Sequence, residues 1–141
     1  MLNFDHIVLV VMENHSYQEI MEGDCAKYAP YINSVLAKDG ISINNAYGEQ
    51  HPSQPNYFWL FSGSNQGIED DHSYWEPNNP GPVFSTPNLY TALEERFAST
   101  NSNFFHGYVD GIQDNSSSNN YYKSTGNYAN RHVPWLSLIH I

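Results

Sequence analysis

The chain has 141 residues, enough for one domain or a piece of a larger one. Five Lys and Arg against fifteen Asp and Glu leave a formal net charge of −10 at pH 7. Such a surface disfavours nucleic acid and anionic membrane, because no basic patch exists to neutralise phosphates. A small anionic substrate stays compatible where a metal ion supplies local positive charge. Cys25 is the single cysteine, so no internal disulfide can form. No apolar run is long enough to span a bilayer, so stable membrane insertion is not expected, and no basic-then-apolar leader is visible before Phe4.

Phe4 to Met12 is a nearly continuous Ile, Val and Leu run, the pattern of a central strand buried on both faces. It ends in Glu13-Asn14-His15-Ser16, and in open α/β sheets ligands collect at the carboxyl ends of strands. Ser16 and Glu19 form a capping box that predicts a short helix from Tyr17. Pro30 opens a second helix whose Ile32, Val35 and Leu36 share a face, and Gly40 closes it in the manner of a helix C-cap. Ile41 to Tyr47 alternates as a further strand and delivers the chain to His51.

His51-Pro52-Ser53-Gln54-Pro55-Asn56-Tyr57 is followed by an apolar run that Gly63 stops, which reads as a short buried helix. With Pro55 at the first helical position, Ser53 stands at the helix N-terminus, where amides and the dipole favour an anion. That placement suits a nucleophile for phosphate and equally an N-cap serine; spacing alone favours the cap. Asn56, one turn on, reaches the same anion or is an ordinary first-turn Asn. His51 orients Ser53 or contacts phosphate, or else packs on Pro52.

Gly67 to Ser85 is an acidic, Pro- and Asn-rich loop. Its Asp70-Asp71-His72 has metal-binding residue types, but in so acidic a loop a solvated charge run is the better reading. Thr86 caps a helix with Pro87 at its first position and Leu89, Leu93 and Phe97 on one face. Asn103 to Val109 reads as a strand, and Asp114 to Asn127 as a low-complexity surface loop. Strand, helix, strand, helix, helix, strand argues for an α/β layered domain. Leu136 to Ile141 matches the translation of a sequencing-library adapter, with an ordinary apolar strand start as the alternative; the adapter is the favoured reading, which sets aside 136–141 as a non-native tail and leaves 1–135 as the natural portion.

Glu13 and Asn14 offer two oxygen ligands for a divalent metal of unspecified identity; adjacent polar residues at a helix start are the ordinary alternative. His132, before Pro134-Trp135, is a phosphate contact or proton donor, or a half-buried turn histidine. No GxSxG elbow, P-loop, GxGxxG or zinc-ribbon pattern is present.

Taken together, Phe4-Asp5-His6-Ile7-Val8, Met12-Glu13-Asn14-His15-Ser16-Tyr17, Ala29-Pro30-Tyr31-Ile32-Asn33, the His51 to Tyr57 segment, Phe61-Ser62-Gly63-Ser64 and Tyr128 to Trp135 follow one another in an order that resembles one family. This is the phosphoesterase family of the alkaline phosphatase superfamily, which holds acid phosphatases and phosphatidylcholine-type phospholipases C. The resemblance covers Phe4 to Trp135 and implies an α/β/α layered domain with a mostly parallel central sheet. It implies Glu13 and Asn14 as metal ligands, Ser53 as the nucleophile that forms a phosphoserine, Asn56 as a donor to a phosphoryl oxygen, and His132 as a phosphate or leaving-group contact. It also implies an extracellular or periplasmic setting and a small phosphate ester as substrate; oligomeric state is left open.

The family completes its metal site with an Asp pair on a later strand, often with a His. Asp70-Asp71 match a loop rather than that strand, and no residue after Trp135 supplies the pair. The expectation is therefore the N-terminal portion of a catalytic domain, with its C-terminal part missing and little activity alone. An acid-phosphatase-like phosphomonoesterase leads; a phospholipase C is the alternative within the family. The 15% aromatic content with 11 tyrosines leaves a ligand-binding module without chemistry as the reading from another class.

Overall fold

A computed structural model describes residues 4–72, 82, 84–100, 103–111 and 130–135. The expected loop at Asp114–Asn127, the tail 136–141 and much of the acidic Gly67–Ser85 loop lie outside the described residues. The chain divides into two compact units, Met1–Tyr47 and Gly48–Ile141.

In the first unit the Ser16 box forms as the spacing requires. The Glu19 amide donates to Ser16 Oγ at 3.3 Å, the Ser16 amide donates to Glu19 Oε2 at 2.6 Å, and α1 runs Tyr17–Met21. Hydrogen bonding from Ser16 to the Glu19 carboxyl, from its backbone amide foremost and its hydroxyl second, holds that carboxyl below its usual range, with His15 adding a smaller pull. A 3-10 helix, Gly23–Tyr28, follows; then a π-helical turn, Ile32–Leu36, runs straight into α2, Ala37–Asp39. The Asn33 amide nitrogen ties these pieces together, donating to the carbonyls of Ile20 at 2.8 Å, Ala29 at 3.0 Å and Ala26 at 3.3 Å. Gly40 does close α2, but through extended backbone rather than a left-handed turn. Glycine is needed there because a Cβ would stand 2.7 Å from the Leu36 carbonyl oxygen.

Among the described residues there is no β-ladder. Phe4–Met12, Ile41–Tyr47 and Asn103–Val109 are irregular, and Ile7 and Val8 are more than four-fifths exposed. A strand is defined by a partner that takes its N–H and C=O groups. None is seated beside these segments among the described residues.

The second unit is built around α3, Ser53–Ser62. Its end is local: Gly63 takes the left-handed conformation, φ 69° and ψ 17°, and its amide donates to the Trp59 carbonyl at 2.9 Å. Phe58, Phe61 and Ile68 form the buried centre, with Phe84, Tyr90, Phe105 and Trp135 packed on it. Edge-on ring contacts, such as Phe58 on Phe84 at 5.2 Å and Tyr90 on Phe105 at 5.7 Å, put part of the high aromatic content into this core. The Trp135 indole lies so close to Gly107 that a Cβ there would be 2.6 Å from the ring. Helix α4 spans Leu89–Phe97 and begins two residues later than Thr86-Pro87 predicts. Asn88 wins as the cap: its Oδ1 accepts from the Thr91 amide at 3.1 Å, and Thr91 Oγ1 accepts from the Asn88 amide at 2.9 Å. No helix among the described residues is long and apolar enough to cross a membrane.

Candidate active site

Four of the six predicted site residues, His51, Ser53, Asn56 and His132, lie in the second unit, on or beside the first turns of α3. Glu13 and Asn14 lie in the first unit. The N-cap of α3 is Pro52, which follows a cis peptide bond from His51, and Ser53 is the first helical residue. The cap reading of Ser53 is thereby corrected. Pro55 falls at the third helical position instead of the first, which moves Ser53 inside the helix. Pro52 has no side-chain acceptor, so the acceptor for the open amides has to come from elsewhere.

Asp71 supplies it. The Gln54 amide donates to Asp71 Oδ1 at 2.8 Å, a charge-assisted bond to an anion at the positive end of the helix dipole. The other carboxylate oxygen lies 3.6 Å from Arg131 Nε. This half-exposed pair corrects the reading of Asp70-Asp71-His72 as a plainly solvated run. The Gln54 side chain is fully buried, and neither end of its amide has a hydrogen-bond partner among the described residues.

Asn56 is held by the loop that precedes the helix. Its Oδ1 accepts from the Glu49 amide at 2.9 Å, which commits the oxygen and leaves the NH2 end as the donor for a ligand. A Cβ on Gly48 would stand 2.7 Å from that nitrogen, so the amide rests against bare backbone. The same loop is lashed down by Gln50, whose Oε1 accepts from Trp59 Nε1 at 3.1 Å and from Asn65 Nδ2 at 2.9 Å.

His132 ends a 3-10 turn, Asn130–His132, packed against α3. Its ring stacks on Tyr57 with centroids 5.2 Å apart and planes inclined by 25°. Tyr57 is four residues after Ser53, so the two share a helix face. Asn130, Val133 and Pro134 are buried, which anchors the turn. His51 is exposed, two residues before Ser53.

In the first unit, Asn14 has φ 61°, a left-handed conformation that Asn tolerates better than most residues. It is exposed, and Glu13 beside it is half-buried. Among the described residues no group of three or more His, Cys, Asp or Glu side chains could hold a metal ion. Two adjacent oxygen donors do not complete a divalent site, so no chemical step is derived through a metal here.

Sequence reasoning named Asp71 only within an acidic run and Arg131 only within the His132 segment, and it missed Gly48 and Gln50 altogether. The available signal for Asp71 was indirect: a helix start with prolines on either side of Ser53-Gln54 and no local acceptor.

Comparison with known proteins follows the same direction. The chain is 35% identical over 138 residues to a phosphatidylinositol-3-phosphatase of Mycobacterium tuberculosis, spanning 98% of this chain and 40% of that protein. It is 32% identical over 92 residues to an acid phosphatase of Aspergillus niger, covering 62% of this chain and 20% of the relative. A phosphate-repressible acid phosphatase of Penicillium chrysogenum is 30% identical over 82 residues, 58% of this chain and 18% of its own. The chain thus spans less than half the length of the curated relatives it matches. No protein-family model matches the chain. No solved structure matches it either. These likenesses point to a phosphatase family and support a phosphoester hydrolase.

Proposed function

We propose that the chain carries the nucleophile side of a phosphomonoesterase active site, of the acid-phosphatase type. What supports this reading is that Ser53 and Asn56 lie in the first turns of α3 and that the His132 ring rests on Tyr57 of the same helix. In the proposed reaction Ser53 Oγ attacks the phosphorus of a small phosphate ester. The Oγ–P bond forms, the bond from phosphorus to the leaving alcohol breaks, and the alcohol oxygen takes up a proton. Water then attacks the phosphoserine, releasing inorganic phosphate and restoring the hydroxyl. The Asn56 NH2, oriented by the Glu49 amide, stabilises charge on a phosphoryl oxygen. His132, held flat on Tyr57, serves as the phosphate or leaving-group contact, and His51 lines the approach.

Glu13 and Asn14 are proposed, on the family resemblance, as oxygen ligands of a divalent cation. The α/β/α layered fold and the extracellular or periplasmic setting belong to the same proposal and rest on the family resemblance. The relatives' names favour a phosphomonoester over the phosphodiester that a phospholipase C would cleave.

The test is hydrolysis of p-nitrophenyl phosphate with added divalent metals, compared with phosphatidylcholine, for the wild-type chain and Ser53→Ala. The proposal expects monoester turnover that is low in this chain alone and lost in Ser53→Ala, and a Ser53-containing phosphopeptide after acid quench that the variant does not give. Release of diacylglycerol from phosphatidylcholine would turn the reading to phospholipase C. Turnover or ligand binding that Ser53→Ala leaves intact refutes the nucleophile assignment.

A further inference from the structure

The Asp71 carboxylate faces two ways. One oxygen accepts the Gln54 amide at the start of α3, at 2.8 Å; the other stands 3.6 Å from Arg131 Nε. Arg131 Nε is itself buried and makes no hydrogen bond among the described residues, so Asp71 is the anion that offsets it there. The next residue is His132, whose ring lies on Tyr57 of α3. Two contacts therefore press the Asn130–His132 turn on the helix: an ion pair reaching the N-terminal end, and a ring stack one turn further along.

We infer that Asp71 is a positioning residue: it clamps Arg131, and through it His132, on the first turns of α3, setting where His132 stands relative to Ser53. This role rests on the proposal that Ser53 is the nucleophile; the clamp itself does not. Asp71 need not touch substrate to act. Its own negative charge at the helix start would repel a phosphate, but Arg131 beside it cancels that charge at short range. The pair thus holds the turn without making the site net anionic. The positioning needs the charge of Asp71, whereas simple capping of Gln54 needs only an acceptor oxygen. That difference makes the two roles separable.

The experiment compares Asp71→Asn, Asp71→Glu, Asp71→Ala and Arg131→Met with wild type in the full chain. Asp71→Asn keeps an oxygen for the Gln54 amide while removing the attraction for Arg131. Proton NMR reads the cross-relaxation between the His132 and Tyr57 rings and the ring-current shift of His132; a thermal melt reads stability. The expected result is that Asp71→Asn melts within about 4 °C of wild type yet loses the His132–Tyr57 contact. Arg131→Met, which leaves the cap untouched, loses it too, and Asp71→Glu regains part of it. On p-nitrophenyl phosphate, Asp71→Asn lowers kcat about 10- to 100-fold with KM little changed, as expected for a misplaced rather than missing group. If Asp71→Asn and Arg131→Met both keep the ring contact, Asp71 is a cap alone and the inference is wrong, whatever happens to the melt of Asp71→Ala. The ring contact is read without turnover. Hydrolysis that survives Ser53→Ala would therefore refute the nucleophile while leaving the clamp to be judged by NMR.

Discussion

Gly48→Ala should damage a site that Gly48 does not itself enter. The added Cβ would stand 2.7 Å from Asn56 Nδ2 and 3.3 Å from both Cγ and Oδ1 of the same amide. Unstrained contacts begin near 3.4 Å, so the amide must retreat by roughly 0.7 Å. That retreat draws Oδ1 away from the Glu49 amide, now at 2.9 Å, and frees the group to turn. Complete removal of a donor that stabilises a developing oxyanion costs on the order of 10²–10³ in kcat, and a misplacement of about 1 Å costs about 10². A shift of this size should therefore cost about 2 kcal/mol of transition-state stabilisation, roughly 30-fold in kcat. Gly48 is exposed, so global stability should change little. The assay is a double-mutant cycle on p-nitrophenyl phosphate with Gly48→Ala, Asn56→Ala and the pair, alongside the Asn56 side-chain signals in a proton–nitrogen NMR spectrum. With Asn56 already gone, Gly48→Ala should have less than about a twofold further effect. Additive losses, or an unmoved Asn56 amide signal, would refute the reasoning.

Two further outcomes follow from single residues. Gln54→Met should raise the melting temperature, because a buried amide without partners costs about 1–3 kcal/mol and Met fills a similar shape; a fall in stability would show that the Gln54 amide is satisfied in solution. The Glu19 carboxyl is held below its ordinary value of 4.5 by the Ser16 hydrogen bonds, so the capping box contributes stability above that value and loses it as pH falls through the lower folded pKa. The Ser16 amide proton should report a midpoint below 4.5 in the wild-type chain, and Glu19 should return towards 4.5 in Ser16→Ala. A wild-type midpoint at or above 4.5 would contradict the box.

What was legible in the sequence was what short-range chemistry decides. Ser16 and Glu19 lie three residues apart, and Gly63 directly follows its helix, so the residues that begin α1 and end α3 are read from a few neighbours. The start of α4 shows the limit. Thr86-Pro87 and Asn88 are competing start signals in consecutive positions, and the reciprocal bonds with Thr91 decide between them. At Ser53 the local rule failed for a longer-range reason. The Gln54 amide, which a polar side chain at the cap position 52 would have taken, goes to Asp71, 17 residues away, and nothing in spacing announces such a partner. Arg131 was in view inside the His132 segment, yet only the fold sets it beside Asp71. The apolar runs at Phe4–Met12 and Ile41–Tyr47 teach the complementary lesson. Periodicity states what a segment would bury, while a ladder needs a neighbour that periodicity does not name.

The distant origin of the α3 cap has a consequence for how portable this motif is. Helices shorter than about 12–15 residues are marginal in water on their own, and α3 has ten residues, with Pro52 at its start. The acceptor for its N-terminal amide, the bond that orients Asn56 and the His132 ring that rests on Tyr57 all come from outside the helix. A synthetic peptide of residues 48–63 would contain Ser53, Asn56 and Tyr57 in the right order and would lack their arrangement. Grafting the spelling onto another scaffold would transfer the letters alone; the portable object is the helix together with the two loops that grip it.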